Sequence, residues 1–350
     1  MVKRFAFAVP GDLATPTGGY AYDRRMIVEV DDLGWQVDLL NLGDSFPWPS
    51  EATRAAALTQ LLSTPAGRTI VVDGLALGVL PEAVSQLARR NPLLALVHHP
   101  LALEAGLSDE QADALRCSER AALATVQGVV VTSAATARLL ATDYGVPAER
   151  IAVARPGSDP APVAQGSPDG VVRLLSVGAV VPRKGFDVLI AALATLTDLP
   201  WQLSIAGDRT RDRVAAARLE ADISSHALQD RVAVLGTVSP LHLAKLYAEA
   251  DVFVLASHFE GYGMAYAEAV AHGLPVIGTN GGAIPDTVPP EAGLLVPSGD
   301  IPAFSAALRR VIDDSDLRQQ LASGARAAAL RLPTWRQSAD IFARALERLA

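Results

Sequence analysis

Short apolar runs alternate with longer amphipathic stretches along the whole chain, and most runs end at Gly, Pro, Asp or Ser. In the first half these runs are FAFAVP (5–10), QVDLLNL (36–42), TIVVDG (69–74), LLALVHH (93–99) and GVVVTS (128–133). Most are apolar without a strict in–out alternation, which predicts strands buried on both faces. Between them, EATRAAALTQLLS (51–63) and DEQADALRCSERAALAT (109–125) place apolar residues at helical spacing. A further helix is predicted from about Tyr20 to Leu33. Strands alternating with helices predict βαβ units and a parallel sheet covered on both faces.

Near RPGSDPAPVAQGSPDG (155–170) the chain turns rich in Pro, Gly and Ser, the composition of a linker. The pattern then starts again with VRLLSVG (172–178), QLSIAG (202–207), VAVLG (232–236), VFVLA (252–256), LPVIGT (274–279) and GLLVP (293–297). The last helices are predicted over about Ile301–Ala328 and Trp335–Leu349. Two domains follow: residues 1–160, and residues 171–334. In doubly wound sheets, ligands bind beyond the carboxyl ends of the strands at a switch point. Two such domains facing each other would enclose a cleft lined by strand-end loops.

Composition narrows the class. The chain has 350 residues, half of them hydrophobic and 5% aromatic, which suits helices on buried parallel strands rather than an aromatic-rich sandwich. A formal net charge of −8 disfavours non-specific attraction to nucleic acid or to anionic membrane. The single cysteine, Cys117, excludes an intrachain disulfide framework and fits a reducing cytoplasm. The N-terminal apolar run is too short for a signal-peptide core, and no segment approaches the roughly 18 apolar residues of a transmembrane span.

The most informative stretch is DVFVLASHFEGYGMAYAEAVAHGLPV (251–276). It reads as a buried strand, a turn with Gly261 and Gly263, and a compact helix from about Met264 to His272, stopped by Gly273 and Pro275. A glycine turn feeding a helix N-terminus offers free N–H groups and a favourable dipole to an anion. The two carboxylates in the stretch, Glu260 and Glu268, would repel phosphate and suit hydroxyl groups instead. A ligand with both phosphates and hydroxyls is a nucleotide sugar. A second constellation, SVGAVVPRKGFDVLIAAL (176–193), puts Arg183 and Lys184 at a strand exit, where two cations can neutralise a leaving diphosphate. GYGMAY lacks the third glycine of a dinucleotide fingerprint. There is no H-E-x-x-H, no Cys/His cluster and no G-x-S-x-G elbow.

The frame EGYGMAYAEAVAHGLPVIGT, with Glu260 and Glu268, resembles the E-x7-E signature of retaining GT-B glycosyltransferases of family 4, glycosyltransferase group 1. The resemblance covers nearly the whole chain, with its diagnostic motifs in the second half. It implies an α/β GT-B fold of two doubly wound Rossmann-like domains facing across a cleft, with the helix 335–350 packing back on the first. It places Glu260 by the donor sugar, Glu268 at the ribose, and the backbone of Gly261, Tyr262, Gly263, Met264, Ala265 and Tyr266 around the diphosphate. Lys184-Gly185 matches the family's Lys-Gly pair, whereas Ala179 fills the place of the usual arginine; Arg183 is the neighbouring cation able to replace it. PGDLATPTGGYAYDRR, with Gly18 and Gly19, resembles the glycine-rich loop that closes over the donor phosphate. His98 matches a histidine near the reacting centre. RPGSD (155–159) and GTNGGAIPDTV (278–288) resemble two further family segments, the latter with Asp286 in the acidic place.

The resemblance implies a metal-independent enzyme with no cofactor, a nucleoside diphosphate sugar (UDP, GDP or ADP) as co-substrate and retention of anomeric configuration. The acceptor is open: a small molecule, a glycan or a lipid-linked group. No nucleic acid partner is expected, and the location expected is the cytoplasm, with peripheral contact at the inner membrane face compatible with it. Alternatives of the same fold are a nucleotide-sugar epimerase or a sugar-phosphate synthase. A non-catalytic nucleotide-sugar-binding protein is a different class, favoured by Ala179.

Overall fold

The computed structural model describes residues 3–104 and 106–349. The chain divides into two compact units, residues 1–157 with 333–350, and residues 158–332. Each unit is built on a six-stranded parallel sheet.

In the first unit the strands are β1 (Lys3–Val9), β2 (Trp35–Asn41), β3 (Ile70–Asp73), β4 (Leu93–Val97), β5 (Gly128–Val131) and β6 (Ile151–Val153). Their spatial order is β2-β1-β3-β4-β5-β6. β3, β4 and β5 are buried at every residue, as expected of strands covered on both faces. The chain leaves β1 towards β2 on one side and later towards β3 on the other, so the switch point lies between β1 and β3. The predicted helix after β1 runs from Gly18 to Asp31, because the Thr17 side chain accepts from Tyr20 N–H and caps it there. Gly18 and Gly19 therefore form its first turn instead of a free loop. The helix Trp335–Leu349 packs against Gly18–Asp31 within this unit, with Trp335, Phe342 and Leu346 buried. Ala350, the last residue of the expected terminal helix, lies outside the described residues.

In the second unit the strands are β7 (Val172–Val177), β8 (Trp201–Ala206), β9 (Val232–Gly236), β10 (Val252–Val254), β11 (Val276–Thr279) and β12 (Gly293–Val296). Their order is β12-β11-β10-β7-β8-β9, which makes β7 and β10 the neighbours at the switch point. The run 158–170 belongs to this unit: Ala164 N–H donates to His272 O, Gln165 N–H to Ala248 O, and Ser167 N–H to Asp251 Oδ1. These bonds tie down backbone that the composition alone assigns to a linker. The single helix expected over 301–328 is two, Ile301–Asp313 and Ser315–Ala329, with Asp314 capping the second through Leu317 N–H. Among the described residues no helix is long and apolar enough to cross a membrane.

Candidate active site

Two clusters of polar side chains stand at strand carboxyl ends, one in each unit. In the second unit the loops after β7 and β10 meet at the switch point. The short helical turn Pro182–Lys184 ends at Gly185 with φ +64°, where a Cβ would stand 2.1 Å from Ala256 O. Only glycine allows that approach, and the backbone bond from His258 N–H to Arg183 O, 2.8 Å, then joins the two loops.

This stitching places both cations on Glu260. Lys184 Nζ lies 2.6 Å from Glu260 Oε1 and Arg183 Nη1 lies 3.2 Å from Oε2. Ser257 Oγ donates to Oε1 at 2.7 Å, and Arg183 also donates to Phe259 O at 2.7 Å. Glu260 is 6% exposed. Burial alone would raise its pKa, but Lys184, Arg183 and the Ser257 hydroxyl outweigh that and hold it at about 2. Glu260 is therefore ionised at any physiological pH and accepts hydrogen bonds; it cannot donate a proton. The motif pattern assigns Lys184 and Arg183 to a diphosphate, whereas in this structure their charge is directed at Glu260.

Beyond Glu260 the chain turns through Gly261, Tyr262 and Gly263 into the helix Met264–Ala271. Gly263 stands at φ +88° as its N-cap, and no side chain caps this helix. Its first-turn residues Met264 and Ala265 are partly exposed, while Tyr262 and Tyr266 are buried. The Tyr266 hydroxyl donates to Leu255 O at 2.6 Å, so that ring is part of the core and packs beneath Gly263 of the turn.

Glu268 is on the same helix, half-buried, with Tyr247 Oη donating to its Oε2 at 2.9 Å. Burial raises its pKa, the Tyr247 hydroxyl opposes that, and Asp159 adds to the rise. Tyr247 is buried and stacked on His272, centroids 4.8 Å apart at 7°. His272 in turn bonds Pro162 O at 2.8 Å. Sequence reasoning missed Tyr247, although its place near the end of a helix, just before Ala250-Asp251 and the β10 run, is visible.

In the first unit His98 follows β4. Its Nε2 lies 3.1 Å from Asp23 Oδ1 and 3.5 Å from Asp73 Oδ2, with Asp23 wholly buried and Asp73 nearly so. One oxygen of each carboxylate and the imidazole nitrogen lie within 4.8 Å of one another, so both carboxylates face the proton of a single ring nitrogen. The ring packs edge-on against Tyr22 and lies under Gly19, whose Cβ would be 3.2 Å from it. Gly19 is thus brought to His98. Gly18 sits beside it at the start of the helix.

Two parallel doubly wound sheets, each with polar side chains gathered at strand carboxyl ends, give an α/β fold that matches solved structures of the GT-B class. The structure superposes on a sucrose-phosphate synthase from Thermosynechococcus elongatus with a TM-score of 0.82 at 22% identity over 99% of both chains. It also superposes on Anabaena HepE in complex with UDP and glucose, with a TM-score of 0.78 at 20% identity over 97% of this chain and 99% of that one. The family model "Glycosyl transferases group 1" matches residues 159–328. A D-inositol 3-phosphate glycosyltransferase of Thermobispora bispora is 30% identical over 298 residues, 77% of this chain and 70% of the relative. The chain belongs to the group 1 glycosyltransferase family. A second D-inositol 3-phosphate glycosyltransferase, from Xylanimonas cellulosilytica, is 32% identical over 66% of this chain, and the match spans only 60% of that relative's length. An MMP alpha-(1->4)-mannosyltransferase of Mycolicibacterium hassiacum is 26% identical over 90% of this chain and 85% of the relative.

Proposed function

We propose that this chain is a retaining hexosyltransferase that takes a nucleoside diphosphate sugar as donor, with no metal or other cofactor. The observation that carries the reading is the carboxylate of Glu260, held ionised by Lys184 and Arg183 beside the uncapped N-terminus of Met264–Ala271. A diphosphate at that helix N-terminus would meet unsatisfied amides and two cations already in place. As the glycosidic bond breaks, negative charge grows on the diphosphate and positive charge on the sugar. Lys184 and Arg183 meet the first; Glu260, unable to act as an acid, meets the second and accepts from sugar hydroxyls. Glu268 is the hydroxyl-binding acid towards the ribose. The family resemblance supports retention of anomeric configuration.

The names of the relatives support phosphorylated polyols and sugars among the acceptors to be tried, beside glycans and lipid-linked groups. We place the enzyme in the cytoplasm, in contact with a membrane only peripherally. The test is nucleotide release from UDP-, GDP- and ADP-hexoses with an acceptor panel that includes inositol 3-phosphate, for wild type, Glu260→Ala and Lys184→Ala. Turnover by the wild type that both variants lose is expected; turnover that neither substitution alters would refute the assignment.

A further inference from the structure

The first unit holds a second built cluster, and its geometry assigns a role to a residue that the motifs do not mark. His98 Nε2 is approached by two carboxylates from two different elements: Asp23 on the helix Gly18–Asp31 and Asp73 at the end of β3. Asp73 is also anchored, its Oδ1 accepting from Leu75 N–H at 2.8 Å. Asp23 is wholly buried, and its second oxygen, Oδ2, has no hydrogen-bond partner among the described residues. A buried carboxylate with one oxygen unsatisfied is costly unless a positive charge offsets it. The ring of His98 is the group in contact with it. Nδ1, by contrast, has no hydrogen-bond partner among the described residues, and the side chain is 21% exposed.

We propose that Asp23 is a positioning residue: with Asp73 it holds His98 as an imidazolium by claiming the proton on Nε2, so that Nδ1–H is left as a fixed donor to an oxygen of a bound substrate. The imidazolium is a donor on both nitrogens and has no lone pair, so His98 in this state cannot take a proton from an acceptor hydroxyl. The charged groups around the ring agree. Tyr22 and Asp23 face it from the helix Gly18–Asp31, Asp73 from β3, and Arg24 acts on Asp23 from one residue further along. Burial alone would lower the His98 pKa; Asp23 first and then Asp73 reverse that and raise it to about 10. Burial raises Asp23 to about 6, against the pull of His98.

The part of this proposal that concerns substrate rests on the transferase reading; the charge state of His98 does not. The experiment separates them. Nitrogen chemical shifts of His98 are followed by NMR in the full-length wild type from pH 6 to 10, with and without added Mn²⁺ or Zn²⁺. Both ring nitrogens are expected to remain protonated at pH 8, whether or not activity is found. A ring neutral at pH 7.5, or metal-dependent loss of the His98 signals at micromolar ion, would overturn the proposal. In Asp23→Asn the His98 titration is expected to move down by at least about one pH unit, the shift a neighbouring opposite charge produces. The alkaline limb of kcat/KM should move with it, and a fixed limb would overturn the positioning role. If Asp23→Asn fails to fold, the wild-type titration still decides. Adding the nucleoside diphosphate sugar or the acceptor alone then shows which one perturbs Nδ1; perturbation by neither, in an enzyme that turns over, would overturn the donor role.

Discussion

Lys184 Nζ and Glu260 Oε1 stand 2.6 Å apart although 76 residues separate them in the chain. The pair is formed by the loops of β7 and β10, neighbours at the switch point of the second sheet. Their side chains are only 14% and 8% exposed, so solvent screens them little.

Glu260 should contribute to acid stability in a defined window. Its pKa is depressed in the folded state, from an ordinary 4.5 to about 2. The stabilisation is therefore complete above pH 4.5 and is lost as pH falls through about 2. A shift of this size corresponds to on the order of 3 kcal/mol. In urea titrations between pH 6 and pH 2.5, Glu260→Gln should show a shallower fall of stability than wild type. Parallel curves would show that the ion pair adds nothing net. Lys184→Met, which leaves Glu260 with Arg183 and Ser257, should cost about 3 kcal/mol at pH 7, near the lower end of the cost of breaking a buried pair.

The Tyr247 hydroxyl should be felt in donor binding rather than in the chemical step. It fixes one oxygen of Glu268 from a ring locked between His272 and Phe253. Tyr247→Phe keeps the stacked ring and removes only the hydrogen bond. A bond to a charged group contributes roughly 1.5–3 kcal/mol, so KM for the nucleotide sugar should rise about tenfold or more with kcat little changed. Loss of kcat at unchanged KM would contradict a role in orienting Glu268.

Much of this is legible in the sequence, for physical reasons that also mark where legibility stops. Fully buried parallel strands leave long apolar runs, so β4 and β5 stand out, while β6, Ile151–Val153, is three residues long and leaves no run to recognise. The turn after β10 announces itself because Gly263 at φ +88° is required by its geometry. Asp23 is invisible: in YAYDRR it reads as the start of a solvated face, and only tertiary packing shows it wholly buried against His98. Asp73 ends an apolar run, a position at which a carboxylate points to a site, yet nothing local identifies its partner. The pairing of Lys184 with Glu260 is hidden for a related reason. Each reads as a ligand contact from its own loop, and the bond between them is a property of strand order.

Gly185 offers a test of that loop junction. A Cβ there would collide with Ala256 O at 2.1 Å, and φ is +64°. At Gly170, φ is +76°, and a Cβ there would meet nothing within 4 Å. Gly170→Ala should therefore cost only the strain of the left-handed backbone, roughly 1–2 kcal/mol. Gly185→Ala should cost clearly more and should also separate Arg183 from His258, reducing turnover. Equal thermal denaturation midpoints for the two variants would remove the steric argument.

Glu119 should make the first unit less stable in alkali, with the sign opposite to Glu260. The side chain is wholly buried on the helix Asp109–Thr125, where Oε2 accepts from Leu101 N–H at 3.0 Å. Burial raises its pKa to about 8, against the bond from Leu101 N–H and the influence of the nearby Tyr144 hydroxyl. A carboxyl whose folded pKa is raised favours the folded state most below its unfolded value, near 4.5. That advantage declines as pH rises and is gone above about 8, where the group is ionised in both states and the folded chain carries the whole penalty of a buried charge. Glu119→Gln keeps an oxygen acceptor for Leu101 N–H and cannot ionise. The variant should match wild type near pH 5 and exceed it at pH 8.5 by a few kcal/mol, read from urea midpoints at the two pH values. A difference independent of pH would mean that Glu119 is ionised in the folded chain throughout, its charge met by neighbours stronger than the Leu101 N–H bond.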